Sequence, residues 1–209
     1  MKLSNQSGLS LLEILVTLTI ISVLSAVAAP SLQDFIKNNR ARAISDDFVT
    51  SLYRTRSEAV KRGADVTLCA SNATQTNCDA SATHFSNGWI VLTDYDSDGL
   101  LDPANILFDT TGDGIVDSAE EILYVSGEPS GSFHIQTTVN TLALQGRLTY
   151  RSNGLPGTGG RGIGYQISEN STSADATQLS RLVIGMTGRI RSCVGNITKC
   201  PAPAGPQCM

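Results

Sequence analysis

From Leu9 to Ala29 the chain reads LSLLEILVTLTIISVLSAVAA, an apolar run of about the 20 residues that a helix needs to cross a bilayer. Past Pro30 polarity rises while the helical period persists. Ala41, Ile44, Phe48, Leu52, Thr55 and Ala59 recur at three- and four-residue steps, and Arg40, Arg42, Asp46, Arg54, Arg56, Glu58, Lys61 and Arg62 fall mostly on the other faces. Gly63 stands where a C′ glycine ends a helix. The pattern predicts one long helix, bent near Pro30. After Gly63 the period shortens to strand-like runs parted by turns: Val66–Ala70, Gly88–Thr93, Ile122–Val125, Phe133–Thr137, Leu148–Arg151, Ile163–Ile167 and Leu179–Gly185. The expected class is α+β, a long helix packed on antiparallel strands in one or two sheets.

Two ordinary readings compete for the N-terminus. One is a secretory leader cut near Ala26-Val27-Ala28; the other is a plain membrane anchor behind the polar stretch MKLSNQSG. Neither accounts for Glu13, because a carboxylate inside an apolar span is costly and marks function. Gly8, Leu9, Glu13 and Pro30 together resemble the class III signal of type IV prepilins. That resemblance implies cleavage by a prepilin peptidase between Gly8 and Leu9 and methylation of the new Leu9 amine. Most members of the family have Phe where this chain has Leu9. It also implies an assembly role for Glu13: a carboxylate in a filament core needs a partner, and the free amine of a neighbouring subunit is one.

Further along, RTRSEAVKRG (Arg54–Gly63), NGWIVLTDYDSDG (Asn87–Gly99), YRSNGLPG (Tyr150–Gly157) and RLVIGMTGRIRSC (Arg181–Cys193) resemble, in order, the blocks of the GspH/FimT family. These are minor pseudopilins of type II secretion and minor pilins of type IV pili, thought to sit near the filament tip and to help assembly begin. The resemblance implies a pilin-like fold in four segments: a leader over 1–8, a membrane and filament-core helix over 9–29, an amphipathic continuation over 30–63 and a β-rich globular domain over 64–209. It implies a single-pass inner-membrane protein with its domain in the periplasm, entering a filament with other pilins or pseudopilins.

The formal net charge of −4 shows no general attraction to nucleic acid, but its distribution is uneven. Between Asp94 and Glu128 there are carboxylates and no Lys or Arg; from Gly131 onward the basic residues face only Glu169 and Asp175. In the acidic block, Asp109, Thr111, Asp113, Ile115 (by its carbonyl), Asp117 and Glu120 have the spacing of a calcium loop, with Gly114 at the turn. Asp94, Asp96, Asp98, Gly99 and Asp102 begin a similar loop that ends at Asn105, which cannot bind bidentately. The competing reading is a solvated acidic hairpin, and Pro103 and the strand-like flanks argue against a helix–loop–helix pair, so Ca²⁺ is a candidate, not a requirement. In the basic half, Gly188-Arg189-Ile190-Arg191 matches a GRxR motif associated, in the FimT branch, with DNA binding during transformation. On an extended segment Arg189 and Arg191 share a face and suit two phosphates, with Arg181 and Lys199 adding charge. The alternative is that these arginines are merely solvated or bind the acidic block. A GspH-like pseudopilin without DNA binding and a calcium-dependent tip adhesin remain the competing functions.

Of the five cysteines, Cys69 and Cys78 suggest one short loop closed by a disulfide in an exported chain. A second bridge is expected among Cys193, Cys200 and Cys208, with Cys193 and Cys200 as the first choice and the connectivity open. Gly157, Gly159 and Gly162 match a dinucleotide fingerprint by letter but lack the strand–turn–helix setting. His84 and His134 have no partner spacing that suggests a metal or triad, and Trp89 reads as a core anchor. No catalytic constellation is found, and no enzyme is expected.

Overall fold

The computed structural model describes residues 10–103, 106–116, 118–129, 133–137, 146–158, 162–169 and 178–194. The chain resolves into two compact units, Met1–Asn39 and Arg40–Met209. The helix, α1, runs over Leu11–Arg62. At its start the Glu13 amide donates to Ser10 Oγ at 3.2 Å, the Ser-x-x-Glu arrangement that satisfies an otherwise open helix end. At its finish Lys61 and Arg62 occupy the last turn and Gly63 takes φ +65°, a conformation that other residues resist.

In the first unit the apolar side chains of α1, among them Leu12, Leu15, Leu18 and Ile21, are exposed. Among the described residues no single helix is long and apolar enough to cross a membrane, while the segments Leu11–Ala26 and Ser31–Arg62 meet that criterion as a pair.

The second unit begins well before residue 64, because the helix from Ala41 onward supplies its core. Ala41, Ile44, Phe48, Leu52, Thr55 and Ala59 are all buried, so the period in the sequence marks the packed face. Among the described residues eight antiparallel strands follow: β1 Val66–Ala70, β2 Trp89–Thr93, β3 Ile122–Ser126, β4 Phe133–Thr137, β5 Arg147–Tyr150, β6 Ile163–Glu169, β7 Gln178–Ile184 and β8 Ile190–Val194. They form two four-stranded sheets, ordered β3-β2-β1-β5 and β4-β6-β7-β8. The pattern of the sequence does not mark β8. Its Ile190-Arg-Ser-Cys-Val shows no strict apolar alternation, and β7 supplies the ladder that makes it a strand.

Phe48 is the centre of the core. Its ring lies edge-on to Phe85 at 5.2 Å, to Trp89 of the first sheet at 5.1 Å and to Tyr165 of the second at 5.1 Å. Helix and both sheets thus meet on one aromatic cluster, an arrangement that adds quadrupole attraction to simple burial. β1 and β2 are buried on both faces. The far face carries a smaller core of Cys69, Ile90 and Leu92, covered by Cys78, Leu101 and Ile122. Cys69 and Cys78 are joined by a disulfide, which ties the β1–β2 connection over this second core.

Candidate functional site

The hairpin turn between β7 and β8 presents the arginine motif. Gly188 donates to the Gly185 carbonyl at 2.9 Å and Gly185 to the Arg189 carbonyl at 2.8 Å, giving a three-residue loop whose last position needs a left-handed backbone. Gly188 supplies it at φ +76°. The loop is held from α1 by Arg56, which donates to the Gly188 carbonyl at 3.1 Å and the Thr187 carbonyl at 3.2 Å. Arg189 is exposed, Ile190 is buried and Arg191 is half-buried, so the two arginines lie on the side of the sheet away from the core. Register extends that face: Val183 opposes Arg191 and Arg181 opposes Cys193. Arg181 therefore shares the outer face, although its Nε is buried without a hydrogen-bond partner, which leaves it less available than Arg189. Lys199, Cys200 and Cys208 lie outside the described residues; Cys193 is itself disulfide-bonded.

The acidic block folds differently from a pair of independent loops. Asp109 turns on its own loop, accepting from the amides of Gly112 and Gly114 at 2.7 Å each, and these bonds hold its carboxyl below the usual range. Glu120 leaves that loop and joins the earlier one. Its Oε1 accepts from the Tyr95 amide at 2.8 Å and its Oε2 from the Asp102 amide at 2.9 Å. Asp94, Asp96 and Glu120 thereby bring carboxylate oxygens within 4.8 Å of one another, the one such group of three among the described residues. Asp94 is fully buried and accepts from the Thr67 hydroxyl and, at 3.2 Å, from the Gly99 amide. Burial raises the Asp94 carboxyl, and burial pushes Glu120 up to about 7 against the pull of its two amide bonds. Thr111, Asp113 and Ile115 stay exposed on the second loop, and Asp117 lies outside the described residues. The signal that pairs Glu120 with Asp94 is the strand register of β2 against β3, which no local spacing reveals.

At the N-terminus Glu13 is exposed in the first turn of α1, and Gly8 and Leu9 lie outside the described residues. The two histidines, remote in sequence, are neighbours: the rings of His84 and His134 are 5.7 Å apart. No arrangement of nucleophile, base and orienting group is present among the described residues.

The family model described as type II transport protein GspH matches residues 45–188, more than half of the chain, and the prokaryotic N-terminal methylation motif matches residues 3–29. No curated protein matches the chain. Among solved structures, the type IV minor pilin FimU of Pseudomonas aeruginosa (strain PAO1) superposes with a TM-score of 0.49 at 16% identity, over 80% of this chain and 96% of that one. The minor pseudopilin EpsH from the type 2 secretion system of Vibrio cholerae gives 0.42 at 14% identity, over 74% of this chain and 97% of that one. The family match covers the helix from residue 45 and strands β1 to β7 and ends at Gly188, before Arg189 and β8, and by it this chain belongs to the GspH family of minor pilins and pseudopilins, which are filament subunits and not enzymes.

Proposed function

We propose that the protein is a minor pilin of a type IV pilus, placed at or near the filament tip, and that its β7–β8 turn contacts double-stranded DNA during uptake. The N-terminal reading rests on the methylation motif over residues 3–29. Prepilin peptidase cleaves between Gly8 and Leu9, the Leu9 amine is methylated, and α1 anchors the subunit in the inner membrane before it joins other pilins. The globular unit faces the periplasm. Glu13 then meets the amine of a neighbouring subunit in the filament core, where a lone carboxylate is costly.

The observation that carries the DNA reading is the turn itself. Arg189 stands exposed on a loop clamped by Arg56, with Arg191 and Arg181 on the same sheet face. Guanidiniums carried on a clamped turn bind phosphates by charge and hydrogen bonds and carry no base readout, so affinity should fall with salt. A mobility-shift series on duplex DNA at increasing salt tests this. The expected result is salt-weakened binding that is lost in the Arg189→Ala/Arg191→Ala double variant. A GspH-like secretion pseudopilin would show no binding in either protein.

A second reading, a calcium-dependent binding module, is favoured by the convergence of Asp94, Asp96 and Glu120. Hard carboxylate oxygens of this kind suit Ca²⁺. Calorimetry with calcium, and melting with and without chelator, test it; absence of both heat and a melting shift ends it.

A further inference from the structure

His84 and His134 are the chain's only histidines. The first lies on the β1–β2 connection, the second on β4, the edge strand of the second sheet. An isolated bridge between His84 and Gln136, with the Phe85 amide donating to the Ile135 carbonyl at 2.9 Å, carries the connection across to that edge. His134 and Gln136 are two apart on β4 and share its outward face, since Phe133 and Ile135, which alternate with them, are buried. His84 therefore lands diagonally beside His134.

Both rings are oriented by hydroxyls through the same atom. His84 Nδ1 is 2.9 Å from Thr83 Oγ1, and His134 Nδ1 is 2.8 Å from Ser86 Oγ. With Nδ1 occupied on each ring, the remaining nitrogen of each is Nε2, and neither has a hydrogen-bond partner among the described residues. Both side chains are half-buried, reachable from solvent yet restrained. Metal-binding imidazoles are prepared in a similar way: a partner on one nitrogen directs the ring and the other nitrogen is left to the metal, and here a hydroxyl, which can donate or accept, directs each ring.

The ring spacing fits one shared ion. A zinc–nitrogen bond of about 2.0–2.1 Å places each ring centre about 3.2 Å from the metal, so two rings lie about 5.2 Å apart at a tetrahedral angle and about 6.4 Å apart if opposed. The observed 5.7 Å falls between. Asp79 is near enough to His84 for their charges to interact, and its carboxylate adds negative potential on that side.

We infer that His84 and His134 form a two-imidazole site for a borderline divalent cation of the zinc and copper class, oriented by Thr83 and Ser86. The ion would staple the β1–β2 connection to β4, the edge strand that it already bridges, with water completing its coordination. The site is separate from the carboxylate cluster, whose hard oxygens favour a different class of ion.

Zinc chloride titrated into the detergent-solubilised full chain at neutral pH tests the inference, followed by melting temperature and by the imidazole ¹⁵N spectrum. The expected result is a saturable, EDTA-reversible rise in melting temperature with the nitrogens of both rings shifting together. His84→Gln and His134→Gln should each abolish the saturable step, and Thr83→Val or Ser86→Ala should weaken it by about tenfold. Asp94→Asn should leave it unchanged. The spectrum of the unaltered protein decides the matter even where a variant folds poorly. No saturable binding, or binding that leaves either ring unmoved, overturns the site.

Discussion

Replacing Glu120 by Gln isolates the cost of burying a carboxylate beside two others. Glu120 is 6% exposed, and burial with Asp94 and Asp96 nearby raises it from 4.5 to about 7. Because the folded value is the higher one, the folded state holds the proton more tightly. Below about pH 4.5 both states are protonated and the group costs nothing. As pH rises from there to about 7 the unfolded chain ionises first, and the stability linked to this proton is lost. Each tenfold gain in proton affinity on folding is worth about 1.4 kcal/mol, which sets a ceiling of roughly 3 kcal/mol. Water reaching the exposed Asp96 side should reduce that to roughly 1–2 kcal/mol, or about 2–8 °C in melting temperature for a protein of this size. Asp94, also raised by burial, contributes in the same direction, so the difference between two proteins is the quantity to read. Melting temperature should be followed from about pH 4.5 to 7.5 in EDTA. The parent should lose stability across the window, and Glu120→Gln should show a shallower slope whatever its absolute stability. Saturating calcium, if held by the cluster, should flatten the parent's slope by favouring the ionised form. Equal slopes for parent and variant in EDTA would refute the reasoning.

Phe48→Ala should destabilise the globular unit by about 3–5 kcal/mol in chemical denaturation, because it removes the ring on which three others converge. Gly188→Ala should cost about 1–2 kcal/mol, since φ is +76° there and a Cβ would lie 3.1 Å from the Gly154 carbonyl oxygen and 3.2 Å from the Arg56 guanidinium. Its DNA mobility shift should weaken without any loss of charge. Cys69→Ser/Cys78→Ser releases a loop of sequence separation 9 and should lower stability by about 2.7 kcal/mol on loop-closure entropy, measured by denaturant melting. Glu13→Ala should leave the protein in the membrane fraction while removing it from sheared filaments; filament yields equal to the parent would refute the assembly role.

What the sequence determined by itself is local. The three- and four-residue period from Ala41 to Ala59 names the packed face of α1, and Gly63 ends the helix because its φ suits glycine. Strands β1 to β7 are legible as short β-rich runs between turns. The Cys69 and Cys78 bridge is legible because a short separation leaves few alternatives. What only the tertiary structure decided is every pairing across the fold. Glu120 has the spacing to close a loop with Asp109, yet the β2–β3 register delivers it to Asp94 and Asp96. β8 has little apolar pattern of its own and is a strand through its ladder with β7. Arg56 reads in sequence as one charge on a helix face and proves to clamp the turn that carries Arg189. His84 and His134, separated by two strands in sequence, become neighbours only because the β1–β2 connection pairs with β4. Periodicity records which face a segment buries; it holds no record of which distant segment arrives at that face, since the free energy choosing the partner is shared between the two.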